Sequence, residues 1–410
     1  MNTSSPPTWS PADRRATIAV AVQFAVNGAF FASLMPRLPE LRTDIGISTG
    51  AVGILLMVAS ATGLVSSLTV RPLIARFGTR RVLFGGSLII SVALMAVGLS
   101  TTWPMALIAL ALMFAFDVYV DVAMNMQGSW LSARRHRPMM NRLHGLWSLG
   151  SVLGGLAAAT LAESAVSLST HLTIAAIILA ALSMVVATQL LPVDEVHADE
   201  TASTITANAD LAASATNPHR RLPLKAFFVA GLTAVAIETA AISWAAFRIT
   251  DDLAGSAAVA ALAYVAVVGG MTITRFVGDH LAHHWGADRF MAGSAILAIA
   301  CLVIAGTAPT QLVTLAAFLA AGLGIATLTP RLYDLAARAG NGTASGLGVL
   351  TGGMRTATIL APITIATVAS ATTVGTAIAA TSAIAGIGFL AAIRPRGPRR
   401  SRPRQSLRPG

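Results

Sequence analysis

Long apolar stretches recur along this chain, each interrupted by a short polar or basic segment. Twelve can be marked, at 16–35, 48–70, 82–100, 104–126, 143–163, 172–192, 225–248, 255–274, 289–307, 310–330, 342–366 and 370–393. A helix needs about 20 apolar residues to cross the hydrocarbon core of a bilayer. The pattern therefore predicts an all-α membrane protein with twelve transmembrane helices. The longest polar interruption, 193–224, follows the sixth stretch. It is rich in Ala, Thr and Ser, acidic early (Asp194, Glu195, Asp199, Glu200, Asp210) and basic late. Such a composition buries no core and is expected to be flexible. The expected organisation is an N-tail 1–15, a six-helix half 16–192, the linker 193–224, a second six-helix half 225–393 and a basic tail 394–410.

Two loops support a duplication. Arg71-Pro72-Leu73-Ile74-Ala75-Arg76-Phe77-Gly78-Thr79-Arg80-Arg81 follows the second stretch, and Asp279-His280-Leu281-Ala282-His283-His284-Trp285-Gly286-Ala287-Asp288-Arg289 follows the eighth. Leu73, Gly78, Arg81 and Gly85 align with Leu281, Gly286, Arg289 and Gly293.

Composition narrows the class. Hydrophobic residues make up 55% and charged residues 11%, against about 25% charged in a soluble domain. Net charge is +11, with seven arginines between Arg394 and the C-terminus. Beside a membrane such a tail favours the cytoplasmic side and anionic lipid over nucleic acid. With both termini in the cytoplasm, 24 of the 28 Lys and Arg fall inside, only Arg37, Arg42 and Arg248 fall outside, and Arg355 lies within a span. The expected location is the cell membrane. The first stretch is too long for a signal peptide and is expected to stay as a helix. Cys301 is the sole cysteine, which excludes an internal disulfide and a cysteine metal site. No P-loop, dinucleotide fingerprint or metal-ligand cluster is present, so no cofactor or metal is expected and ATP-driven transport is unsupported.

The first loop resembles the signature G-x-L-a-D-r-x-G-r-r of the major facilitator superfamily. Leu73, Arg76, Gly78, Arg80 and Arg81 fit it; Arg71 and Ala75 replace its Gly and Asp, and His283 replaces the Asp in the second copy. Three further segments resemble the MosC-like branch: Asp121-Val122-Ala123-Met124-Asn125-Met126-Gln127, Arg137-Pro138-Met139-Met140, and His144-Gly145-Leu146-Trp147-Ser148-Leu149-Gly150. Glu238 with Trp244, and Met271 to Asp279, extend the match, while Ser132 and Ser243 depart from it. The resemblance implies a monomeric transporter of two rocking halves, with spans 1, 4, 7 and 10 lining the cavity. The branch's named member is linked to rhizopine, an inositol-derived amine, which implies a small polyhydroxy or amine-bearing cargo.

A charge at the bilayer centre costs roughly 2.5–3.5 kcal/mol on insertion scales, so intramembrane ionisable groups mark function. Glu238 is the first candidate proton carrier, or else a structural partner of Arg355. Asp117, Asp121 and Asn125 share one face of span 4 at i, i+4, i+8. Asp117 is a second proton or substrate candidate. Asp121 either joins it or ties span 4 to the basic loop or to the start of span 11. Gln23 and Asn27 offer amides to a hydroxylated ligand or to a neighbouring helix. Asn125, Trp244 and Arg355 complete the candidate substrate contacts, Arg355 through an anion or through Glu238. His144 is a relay or a structural residue; Trp147, Tyr119 and Tyr264 stack on a ring or pack. Gly150, Gly154 and Gly155, and Gly346, Gly348, Gly352 and Gly353, predict close helix packing. The functional reading is proton-coupled transport of a small polar metabolite. The alternatives are a drug or metabolite efflux antiporter and a non-transporting membrane sensor or scaffold.

Overall fold

The computed structural model describes residues 10–135, 139–191, 223–339 and 345–394. The linker expected at 193–224, apart from its last two residues, lies outside these, as do residues 1–9, Arg137, Pro138 and the tail beyond Arg394. Among the described residues there is no strand. Twelve helices are long and apolar enough to cross a membrane. They are α1 (Pro11–Leu34), α2 (Thr49–Ser67), α3 (Val70–Gly98), α4 (Trp103–Arg135), α5 (Met140–Glu163) and α6 (Leu168–Gln189). After the linker come α7 (Leu224–Ile242), α8 (Ala257–Trp285), α9 (Ala287–Thr307), α10 (Gln311–Ile325), α11 (Ser345–Ala371) and α12 (Val374–Ile393). With twelve crossings both chain ends lie on one face, here termed the terminal face; the opposite one is the far face.

Local sequence explains the helix starts. Ser48, Ser167, Ser256, Thr310 and Thr373 each cap a helix that begins on the far face by accepting a backbone N–H. Each cap contributes about 1 kcal/mol. On the terminal face, Ser10 and Asp13 form a reciprocal capping box on α1.

Packing repeats between the halves. α1·α5, α2·α4, α3·α4, α3·α6 and α1·α6 have the counterparts α7·α11, α8·α10, α9·α10, α9·α12 and α7·α12. Small residues allow the closest of these contacts. A Cβ on Gly150 would lie 2.0 Å from the Ala25 carbonyl oxygen, and one on Gly353 would lie 2.1 Å from that of Phe228. The loop echo is visible in the backbone: Gly78 and Gly286 have φ of 75° and 81°, a region that favours glycine. In each half that glycine ends one helical segment and starts another.

The helices depart from the apolar stretches in instructive ways. α4 runs on to Arg135 and α8 to Trp285, because amphipathic ends project beyond the apolar slab that a hydropathy pattern detects. The stretch expected to be continuous over 225–248 is broken at Ser243 and Trp244, and the short helix Ala245–Phe247 and the π-turn Arg248–Asp252 follow. α10 likewise breaks at Ala326–Thr327 and resumes as Leu328–Ala339.

The halves meet along α5·α8 and α2·α11. On the far face, Gly53 of α2 sits against Ala366 of α11, and Ala158 and Ala159 cluster with Ala261. Arg42 of the first half bonds both carboxylate oxygens of Asp251 in the second; its Nη2 is 2.9 Å from Oδ1. The Arg42 guanidinium also lies 5.3 Å from the centre of the Phe247 ring. These contacts close the far face.

Candidate transport cavity

A cavity of about 660 Å³ lies between the halves. Met35, Ile242 and Tyr264 line its end toward the far face, and Ser67 and Asp121 line it toward the terminal face. Five candidate residues line it: Asn27 from α1, Asp117 and Asp121 from α4, Glu238 from α7 and Arg355 from α11.

A hydrogen-bonded chain runs along one wall. Asn27 Nδ2 donates to Asp117 Oδ1 at 2.8 Å, and Trp147 Nε1 donates to Asn27 Oδ1 at 2.8 Å. The Arg275 guanidinium of α8 lies 5.6 Å from the centre of the Trp147 ring and donates to the Ser148 hydroxyl. Arg275 is also the cation whose charge acts on Glu238. The chain thus links α4, α1 and α5 of the first half to α8 of the second.

Glu238 forms no hydrogen bond or ion pair among the described residues, and its expected pairing with Arg355 is not present. Arg355 is exposed and faces the cavity. Asp117 and Asp121 stand one turn apart, without a cation bonded to either among the described residues.

Three candidates are elsewhere. Gln23 is fully buried and donates to Ser87 of α3 at 3.2 Å, so it joins helices rather than facing the cavity. Asn125 turns back on its own helix, donating to the Asp121 carbonyl at 2.8 Å and to Asp121 Oδ1 at 3.0 Å. Trp244 is fully buried at the end of α7 and packs on Phe247, with ring centroids 5.2 Å apart. None of the three lines the cavity. The signature-loop side chains are also remote from it: Leu73 packs on the apolar cluster at the terminal end of the first half, and Arg76, Arg80 and Arg81 are exposed.

Residues 20–354 match the Major Facilitator Superfamily. The chain belongs to that superfamily. It is 27% identical over 324 residues to the uncharacterized transporter y4wD of Sinorhizobium fredii, covering 78% of this chain and 81% of that one. It is 24% identical over 330 residues to the membrane protein MosC of Rhizobium meliloti, covering 80% and 77%. Two solved structures share the fold. The nucleoside transporter NupG aligns with a TM-score of 0.67 at 14% identity, over 93% of this chain and 99% of that one. A bacterial homologue of the human lysosomal transporter Spinster, in an inward-facing and occupied conformation, aligns with a TM-score of 0.69 at 12% identity, over 94% and 98%. The chain is a membrane transporter of this superfamily.

Within this superfamily fold, the cavity residue that the apolar pattern does not single out is Arg275. It falls among the loop cations because the apolar stretch ends at residue 274. The signal that points to it is its place in the Met271–Asp279 segment, where a helical continuation of α8 carries its side chain back toward the cavity.

Proposed function

We propose that this transporter couples proton movement to alternating access of the cavity for a small polar metabolite, sugar-, cyclitol- or amine-like. The observation that carries the reading is Glu238: a carboxyl in the cavity between the halves, unbonded among the described residues and acted on by the charge of Arg275. A half-buried carboxyl in an intramembrane cavity, left without a fixed partner, is suited to exchange a proton rather than to hold a structure together. Asp117 and Asp121 add two further carboxylates across the cavity, and Asn27, Ser67 and Thr358 offer groups that bond hydroxyls and amines.

In this reading the terminal face is cytoplasmic, as the basic loops favour. The protein is a monomer in the cell membrane, and its two six-helix halves rock about the α2·α11 and α5·α8 contacts. The apolar part of the wall, with Phe31, Met35, Phe114 and Ile242, favours a second reading, export of an apolar compound.

Thermal-shift screening of purified protein against sugars, cyclitols, amines and drugs separates the two, since a ligand stabilises the state it binds. With the cargo in hand, proteoliposomes test the coupling. Glu238→Gln is expected to abolish accumulation driven by a pH gradient while leaving cargo exchange without a gradient intact. Unchanged gradient-driven accumulation would remove Glu238 from the mechanism.

A further inference from the structure

A second cavity, of about 600 Å³, lies mostly within the C-terminal half between α7, α8, α9 and the continuation of α10, with His144 of α5 at its edge. It shares three lining residues with the first: His144, Glu238 and Arg275. Glu238 therefore stands in the wall between two cavities that otherwise have different linings. From Glu238 the second cavity passes Thr274, then Thr327 and Thr329, and reaches Asp334, whose side chain is 60% exposed at the terminal face. The α10 break at Ala326–Thr327 lies along this path, where interrupted helix geometry leaves backbone polar groups available to water. A cavity of this size and polarity has room for a connected file of waters.

We propose that the second cavity is the proton route of this transporter, carrying protons between the terminal face and Glu238 while cargo fills the first cavity. A hydronium ion in the file gives its proton to the Glu238 carboxylate and remains as water. The inference rests on the reading of Glu238 as the proton carrier. The groups facing that carboxyl are Arg275 and Tyr264 from α8, His144 from α5, Arg355 from α11, and Asp117 and Asp121 from α4 across the first cavity. Arg331 and Asp334 line the outer part of the second. α12, which also packs on α7, brings no charged or titratable side chain. Separate access would let protonation and cargo loading proceed in either order.

Gly278 lines the second cavity and not the first. A Cβ there would meet nothing closer than Thr274 Cγ2 at 3.4 Å, so a side chain at this position grows into the cavity. The test uses the full chain in nanodiscs. Time-resolved infrared spectroscopy follows carboxyl protonation after a photoreleased proton pulse, and the band lost in Glu238→Gln identifies Glu238. The first cavity is plugged by a bulky maleimide on Ser67→Cys in a Cys301→Ser background.

The plugged protein is expected to protonate Glu238 as fast as the open one. Adding Gly278→Leu, or independently Ala282→Leu, should slow it by about tenfold or more, with Gly278→Ala leaving it near wild type. Matching melting temperatures identify the variants that have folded, and two fillers keep the result readable if one does not. If the plug alone stops protonation, or if neither filler slows it, the second cavity is not the route and Glu238 remains the carrier. If no band depends on Glu238, both the carrier reading and this route fall.

Discussion

The Arg275 guanidinium of α8 lies 5.6 Å from the centre of the Trp147 ring of α5, so the two halves meet through a cation–π contact in the cavity wall. Trp147 also holds Asn27, which holds Asp117. A movement of one half against the other must therefore disturb the partner set of a cavity carboxylate. Trp147→Phe keeps the ring beneath Arg275 but leaves Asn27 Oδ1 without its donor. It should lower unfolding stability by about 1–3 kcal/mol, the cost of an unsatisfied polar group. Trp147→Ala removes the ring as well and should cost about 3–5 kcal/mol. Thermal and denaturant unfolding in detergent checks the order of the two.

The far face is held by Arg42 and Asp251. Arg42→Ala should move the conformational balance toward an open far face by about 5- to 150-fold, the range of a coupling of 1–3 kcal/mol. Spin labels at Asp44 and Leu312, both exposed on that face, would report longer distances. The exchanged pair, Arg42→Asp with Asp251→Arg, should restore the short distance. If it does not, the closure does not rest on this charge pair.

Glycine positions separate by their surroundings. Gly150→Ala and Gly353→Ala place a Cβ about 2 Å from a neighbouring backbone oxygen, an overlap that helix separation alone can relieve. Each should cost more than about 3 kcal/mol or prevent accumulation of folded protein. Gly85→Ala and Gly293→Ala meet nothing within 4 Å and should be neutral or stabilising by up to about 1 kcal/mol. Expression and melting temperature of the four variants decide the matter.

Gly78→Ala and Gly286→Ala each force a Cβ into positive-φ, extended-ψ backbone (ψ of 157° and 129°), at about 1–3 kcal/mol per site. The two residues belong to separate halves, so their effects should add to within about 0.5 kcal/mol. Paired unfolding measurements on the single and double variants check both the size and the additivity.

These two glycines also show which features the amino-acid sequence makes legible by itself. The repeat, the helix count and the special backbone at Gly78 and Gly286 all come from local signals: a slab of fixed thickness and a residue type with a unique conformational range. The cavity is legible in part. Asp117, Asp121 and Asn125 do share a helix face, but eight residues advance about 12 Å along the axis, which carries Asn125 past the cavity that Asp117 lines. Gln23 sits one turn from Asn27, yet Ser87 of α3 claims it. Trp244 has the chemistry of a cavity residue, and packing behind the α7 break decides its place instead. Which cation stands nearest Glu238 is not legible at all, because Arg275 and Arg355 are both distant in sequence and only the packing of α7 and α8 brings Arg275 into both cavities that Glu238 lines.

The Arg42–Asp251 pair is about one-fifth exposed, with side-chain accessibilities of 19% and 18%. Salt screens charges that solvent reaches, over a Debye length of about 8 Å at physiological ionic strength. The ionic strength of the far-face compartment therefore enters the conformational balance directly. With the far face outside the cell, as in the proposed orientation, cells that meet dilute and saline surroundings in turn would hold this transporter at different resting distributions, with no ligand and no modification involved.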